Sequence, residues 1–274
     1  PLSQGAVPRV QTGDGVNALQ PIAEITTPNG RAPLLAGIDG RVIAVTPGKG
    51  IIIEGVATLL QGMIGLGESA AGPLAFLPQG ESPAVALIPR GAILVYPQRV
   101  PLTLLQRAAA HGAAGVIAAS ASALELEAFA RTDISAYLEH RIPLPVPSPL
   151  VVVLTEGLGD AAMQIDMLAL LRRREGEMAL INGTAHPRQN VRPEVLLSRS
   201  DLSMGEYVPP PVLLRTGAIV RVAAGARRGM RGMIRHIPAH TAVDAAGLRT
   251  RYAVVELDTG ERASLPLHLL DIIG

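Results

Sequence analysis

Cysteine and tryptophan are both absent from this 274-residue chain, and aromatic residues of every kind make up only 2% of it. Without cysteine there is no disulfide, no thiol nucleophile and no cysteine-ligated metal, and the redox compartment stays open. With four tyrosines and two phenylalanines, there are few platforms on which unpaired bases could stack. Lysine occurs once, as Lys49, and 24 basic against 23 acidic residues leave a formal charge of +1. The chain as a whole therefore lacks the dense basic stripe with which dedicated nucleic-acid binders neutralise phosphates. The near-exclusive use of arginine reads as base composition or heat adaptation rather than phosphate recognition. Long apolar runs are missing too. The richest, residues 149–154, suits a buried strand and is far too short to span a bilayer, so no membrane insertion is expected.

What the chain does have is 48% hydrophobic content and a mean hydropathy of +0.33, material for sizeable cores in more than one domain. Residues 1–33, rich in Gly, Pro, Gln, Asn and Thr and without a sustained period, predict an extended arm that needs a partner surface to become ordered. Residues 34–90 predict a β-rich barrel or sandwich. Two apolar runs, 41–45 and 51–54, flank Thr46-Pro47-Gly48-Lys49-Gly50, a hairpin signal, and closely spaced glycines follow. Gly65-Leu66-Gly67-Glu68-Ser69-Ala70 formally fits a dinucleotide fingerprint, but Pro73 interrupts any helix that would open there, so the glycines read as turns.

Residues 91–207 predict a small parallel α/β domain. A strand at 92–96, helical spacing over 102–111 and a strand at 115–119 form a βαβ unit. Ser122-Ala123-Leu124-Glu125 has the form of a capping box opening a helix to about Arg131. A strand at 150–154, a helix at 160–173 and a strand at 178–181 follow. Prolines at 143, 145 and 147, and Pro209-Pro210-Pro211, read as stiff connectors, the second holding the last module at a fixed distance.

Residues 212–274 predict a separate barrel of roughly five short strands. Period-2 alternation begins at Ile219, and Gly225, Gly229 and Gly232 are spaced as turn residues that supply positive φ. Asp258-Thr259-Gly260-Glu261 makes a hairpin turn, and residues 238–249 read as an inserted loop. From Arg215 onward nine arginines face five acids, so this part is positive by four while the remainder is negative by three.

Gly225-Ala226-Arg227-Arg228-Gly229-Met230-Arg231-Gly232-Met233-Ile234 resembles the KOW motif of SH3-like barrels, over about a fifth of the chain. The resemblance implies a module that binds ribosomal RNA, RNA polymerase or partner proteins. It makes Arg227, Arg228, Arg231 and Arg235 the candidate RNA- or partner-binding residues. Residues 91–120, closing on His111-Gly112-Ala113-Ala114-Gly115-Val116-Ile117, are weakly similar to protease-associated domains, which implies a noncatalytic docking role.

A ligand of the α/β domain would sit beyond the carboxyl ends of its strands. That places Tyr96 and Gln98 after the first strand, Ser120 and Ser122 after the second, and Thr155, Glu156 and Gly157 after the third. Ser120, Ser122, Thr155 and Glu156 are the candidate ligand residues. In the plainer reading, Asp160 caps the following helix and the glycines make the turn. His236 and His240 straddle Pro238 in a strand and loop context and do not form a helical zinc pair. His140, His186 and His268 belong to no visible triad.

These readings converge on α/β plus all-β architecture in a noncatalytic binding or assembly protein with a protein partner or self-assembly. An RNA-, ribosome- or polymerase-associated factor is the alternative, and an enzyme with a site in the α/β domain comes third. No catalytic residue, cofactor or metal is assigned. Cytoplasmic residence is the default, and a start at Pro1 without Met leaves a removed targeting segment open.

Overall fold

The structure, a computed structural model, describes residues 6–27, 30–77, 82, 85–139, 141–142, 145–185, 191–198, 214–244 and 247–272. Pro143, Pro209-Pro210-Pro211, His140 and His186 lie outside the described residues.

The amino-terminal segment is folded rather than an arm. Strands β1 (Val7–Pro8), β3 (Pro21–Thr27) and β4 (Gly30–Leu35) form one small antiparallel sheet, and β2 (Gly15–Val16), β5 (Gly40–Thr46) and β6 (Gly50–Glu54) form another. Val10, Val16 and Ile22 are buried with Ala36 and Val42 in a core of their own. The surface that orders residues 6–27 is supplied by this same chain, which a period-based reading of low-complexity sequence does not detect. The hairpin around Lys49 is present as expected, with Gly48 at φ +70° and the Lys49 N–H donating to the Thr46 carbonyl.

The central body is one eight-stranded sheet. In chain order its strands are β7 (Ala57–Gln61), β8 (Ile64–Leu66), β9 (Ser69–Phe76), β10 (Ile93–Arg99), β11 (Gly115–Ala121), β12 (Val151–Leu158), β13 (Met178–Asn182) and β14 (Glu194–Ser198). They are arranged β7-β14-β13-β9-β10-β11-β12-β8. The run from β9 to β12 is parallel and the remaining pairings are antiparallel. The strands at the two ends, β7 and β8, are separated in the chain only by Gly62 and Met63, so the sheet curls back on itself. β9 and β10 pair side by side, and the sheet therefore runs across residue 90, where the sequence placed a domain boundary. Gly65 lies in a buried strand, not a turn. A Cβ there would stand 2.2 Å from the Gly183 carbonyl oxygen, so two backbones cross where only glycine fits.

Helices α1 (Leu102–Ala110), α2 (Ala123–Ala130) and α3 (Ile134–Leu138) cover one face of the sheet and α4 (Ile165–Arg173) the other. Alternate residues of the central strands serve the two faces. Leu94, Val116, Val152 and Leu154 join the first core, and Ile93, Ile117, Val151 and Val153 the second. That is why these strands read as continuous apolar runs. Two expected caps are absent. Ser122 stands at the N-cap of α2 without a side-chain capping bond, and the Glu125 carboxylate, the other half of the box, turns to Arg99 (3.2 Å) and the Leu102 N–H. Asp160 caps nothing, because α4 begins five residues later, after Gln164.

The carboxyl-terminal module contains β15 (Ile219–Val222), β16 (Arg231–His236), β17 (Thr241–Val243), β18 (Arg249–Leu257), β19 (Arg262–Pro266), a 3₁₀ turn at Leu267–Leu269 and β20 (Leu270–Ile272). The order is β17-β18-β16-β15-β20, with β19 on the other edge of β18. Val220, Val222, Ile234, Val255, Leu257, Leu265 and Ile272 fill its core. The expected inserted loop holds β17, which extends the sheet along β18. Gly225 and Gly229 have the positive φ expected of turns. Gly232 does not. It lies within β16, where a Cβ would come within 2.5 Å of the Glu256 carbonyl oxygen. The module is not held away from the central body, since Ala224 and Leu248 are buried in the core that covers the helical face of the central sheet.

Candidate functional site

The two sets of residues singled out in the sequence meet across the junction of the central body and the carboxyl-terminal module. The turn between β15 and β16 is closed by the Gly229 N–H donating to the Val222 carbonyl, with positive φ at Gly225 and Gly229. It carries Arg228 to Glu156 near the end of β12, where the two side chains form an ion pair. The Glu156 carboxylate is 6% exposed and the guanidinium 27%. The other Glu156 oxygen accepts from the Gln164 N–H at the start of α4 and from the Thr155 hydroxyl, both at 3.4 Å. Glu156 thus takes the place at the helix start that was expected of Asp160.

A second contact fixes the same junction. Arg192, 3% exposed, reaches from the segment before β14 into the carboxyl-terminal module and donates to the main-chain oxygens of His268 and Leu270. It also pairs with Asp271 at 2.9 Å, and Arg221 approaches the other Asp271 oxygen at 3.3 Å. Burial lowers the Arg192 pKa from its ordinary value, and the Asp271 charge opposes that shift. His268, buried beside Arg192, is pushed down to about 3, first by loss of solvent and then by the guanidinium charge. Its Nδ1 has no hydrogen-bond partner. Tyr137, also buried, is pushed up to about 12, chiefly by burial, and remains a neutral phenol.

Between these two contacts lies a cleft of about 480 Å³. Its walls are residues 59–63 and Thr155 from the central body, Gln164 just before α4 and Met167 within it, and Arg221, Arg228 and Asp271 from the carboxyl-terminal module. Both the size and the position between modules are those of ligand sites in general.

The other candidates are spent elsewhere or stand apart. The Ser120 hydroxyl is buried, donating to the Ala161 carbonyl (2.9 Å) and accepting from the Ala161 N–H (3.0 Å). Ser122 sits before α2, away from the cleft lining. Tyr96 and Gln98 fall within β10, and Gly157, at φ +86°, pairs with Ser120. Arg227 pairs with Glu261 at 2.6 Å, and Arg235 pairs with Glu256 at 2.9 Å, an oxygen pair that also holds Arg262. Arg231 is exposed and has no carboxylate partner among the described residues. Among the described residues no three His, Asp or Glu side chains gather as metal ligands, and no described helix is long and apolar enough to cross a membrane.

Sequence reasoning missed Arg192, Asp271, Arg221 and residues 59–63. A single arginine in a polar connector carries no pattern, and the only signal was Pro193 after it, which marks a fixed segment. Comparison with protein families, curated proteins and solved structures finds no match to this chain.

Proposed function

We propose that the chain is a noncatalytic binding or assembly component whose carboxyl-terminal barrel, docked on the curled central sheet, is its protein-interaction module. The order β19-β18-β16-β15-β20, with a 3₁₀ turn before the last strand, supports an SH3-like reading of that module and accords with the KOW-like loop between β15 and β16. The observation that carries the choice of a protein partner is the state of the loop arginines. Of Arg227, Arg228, Arg231 and Arg235, three are engaged by carboxylates of this chain, which leaves Arg231 as the one of the four without a carboxylate partner among the described residues. Counterion release scales with the number of phosphates neutralised, so a single free arginine supports little affinity.

The RNA-associated reading remains the alternative and rests on Arg231 and on the net positive charge of the module. The enzyme reading is weaker, because the Ser120 hydroxyl and the Glu156 carboxylate are both committed within the fold. Titration of the chain with single-stranded RNA between about 50 and 200 mM salt separates the first two. Weak affinity that does not change on Arg227→Ala, Arg231→Ala and Arg235→Ala supports the protein reading. A tight, steeply salt-dependent affinity lost in those variants supports RNA.

A further inference from the structure

The cleft between central body and barrel has a form that points to its occupant. Leu59, Leu60 and Gln61, the last three residues of β7, line it consecutively, and Gly62 and Met63 continue the wall as the connector to β8, with their N–H groups donating to the Pro193 and Leu154 carbonyls. A cleft lying over one face of a strand is lined by alternate residues, whereas one that follows the strand's edge meets every residue in turn. β7 is the terminal strand of the central sheet, bonded on one side to β14 and, among the described residues, to no strand on the other. Alternate N–H and C=O groups of β7 therefore face away from β14 without a ladder partner. Such an edge is a template for an added strand.

The opposite wall carries charge. Arg221 and Arg228 stand on the barrel side, and Asp271 is shared by Arg221 and the buried Arg192. With Glu156 matched to Arg228, three guanidinium groups face two carboxylates around the cleft, and one positive charge is uncompensated. Leu60, Met63 and Met167 supply apolar floor between them.

We propose that this cleft binds an extended peptide segment of a protein partner, added as a strand to the free edge of β7, with a carboxylate of the segment held by Arg221 and Arg228. The carboxylate belongs to an acidic side chain or to a chain terminus. This rests on the reading of the protein as an interaction component and specifies where and how it holds its partner. Edge pairing gives main-chain affinity with little sequence demand, and the arginines set the requirement for an anion at one end.

The test uses the full chain and two synthetic libraries of random hexapeptides, one with free carboxyl termini and one amidated, with retained peptides identified by mass spectrometry. Enrichment of acidic, β-prone peptides is expected. Enrichment in both libraries assigns the carboxylate to a side chain, and enrichment in the free form alone assigns it to the terminus. Leu59→Glu, which adds a negative charge at a position already 44% exposed, is expected to weaken retained peptides at least tenfold without lowering the melting temperature. Arg228→Gln is expected to act in the same direction. An absence of enrichment, or enrichment indifferent to Leu59→Glu, overturns the proposal. A chain that assembles with a protein while retaining no peptide refutes the cleft alone and leaves the assembly reading standing.

Discussion

Arg192 is the residue on which the junction most depends. It is almost wholly buried, and its guanidinium holds two carbonyls and one carboxylate from the last six described residues of the chain. Removing one member of a buried ionic contact strands the other, which costs far more than the pair is worth against an apolar substitute. Arg192→Met is expected to lower unfolding stability by about 3 kcal/mol or more in denaturant titration. Arg192→Lys should recover only part of it, since an ammonium cannot span the same fork of acceptors. His268, buried against that arginine, makes the junction sensitive to acid. Its folded pKa, about 3, lies below the 6.5 of an unperturbed imidazole, so between those values the unfolded chain binds the extra proton. The stability tied to neutral His268 is complete above about pH 6.5 and is lost as the pH falls toward 3, with a slope of about 1.4 kcal/mol per pH unit. Melting curves from pH 7 to pH 5, where few carboxylates titrate, should show this decline, and His268→Gln should flatten it. A curve that stays level in the unsubstituted chain contradicts the assignment.

At the scale of elements, the sequence was most legible where a pattern repeats locally and least where a partner lies far along the chain. β10, α1, β11 and β13 fall within a few residues of their expected bounds, because period 2 and period 3.6 are written in consecutive residues. The hairpin at Lys49 and most strands of the carboxyl-terminal module were legible for the same reason. Caps were not. Glu125 has the spacing of a capping box, yet Arg99, brought near by the sheet, competes for the carboxylate. Asp160 has the character of a cap, but the carboxylate that serves α4 is Glu156, four residues earlier and held by an arginine 72 positions away. The candidate site was half legible. Glu156 and Arg228 each stood out locally, and their meeting depends on docking that no local pattern records. A double-mutant cycle on Glu156→Gln and Arg228→Met should give a coupling of about 1 to 3 kcal/mol in unfolding stability, and additivity would sink the ion pair as a docking contact. The glycines of the curled sheet divide similarly. Gly225 was readable as a turn, but Gly65 is required by a crossing with Gly183, far off in sequence. Gly65→Ala should destabilise by about 3 kcal/mol, and an unchanged melting temperature would show that the two backbones can part.

At the scale of the molecule, three folded parts are arranged so that the carboxyl-terminal module and the central body share a core rather than hang on a tether. A module fixed in this way presents one orientation to a partner, which suits an assembly component better than a flexible capture arm, because the cost of fixing the module's orientation is not incurred again on association. The near-neutral charge and the paired arginines point away from a polyanion as the main partner. The amino-terminal sheets, built in part from residues expected to form an extended arm, add a further surface, with Ile43 and Ile52 exposed on the hairpin of β5 and β6. The measurement that bears most directly on this account is the mass of the native protein as isolated, by light scattering and native mass spectrometry, with and without nuclease. The account predicts a nuclease-resistant assembly, either of this chain with itself or with a stable protein partner. Mass lost on nuclease treatment would put RNA in the place of that partner, and a bare monomer would contradict the assembly reading outright.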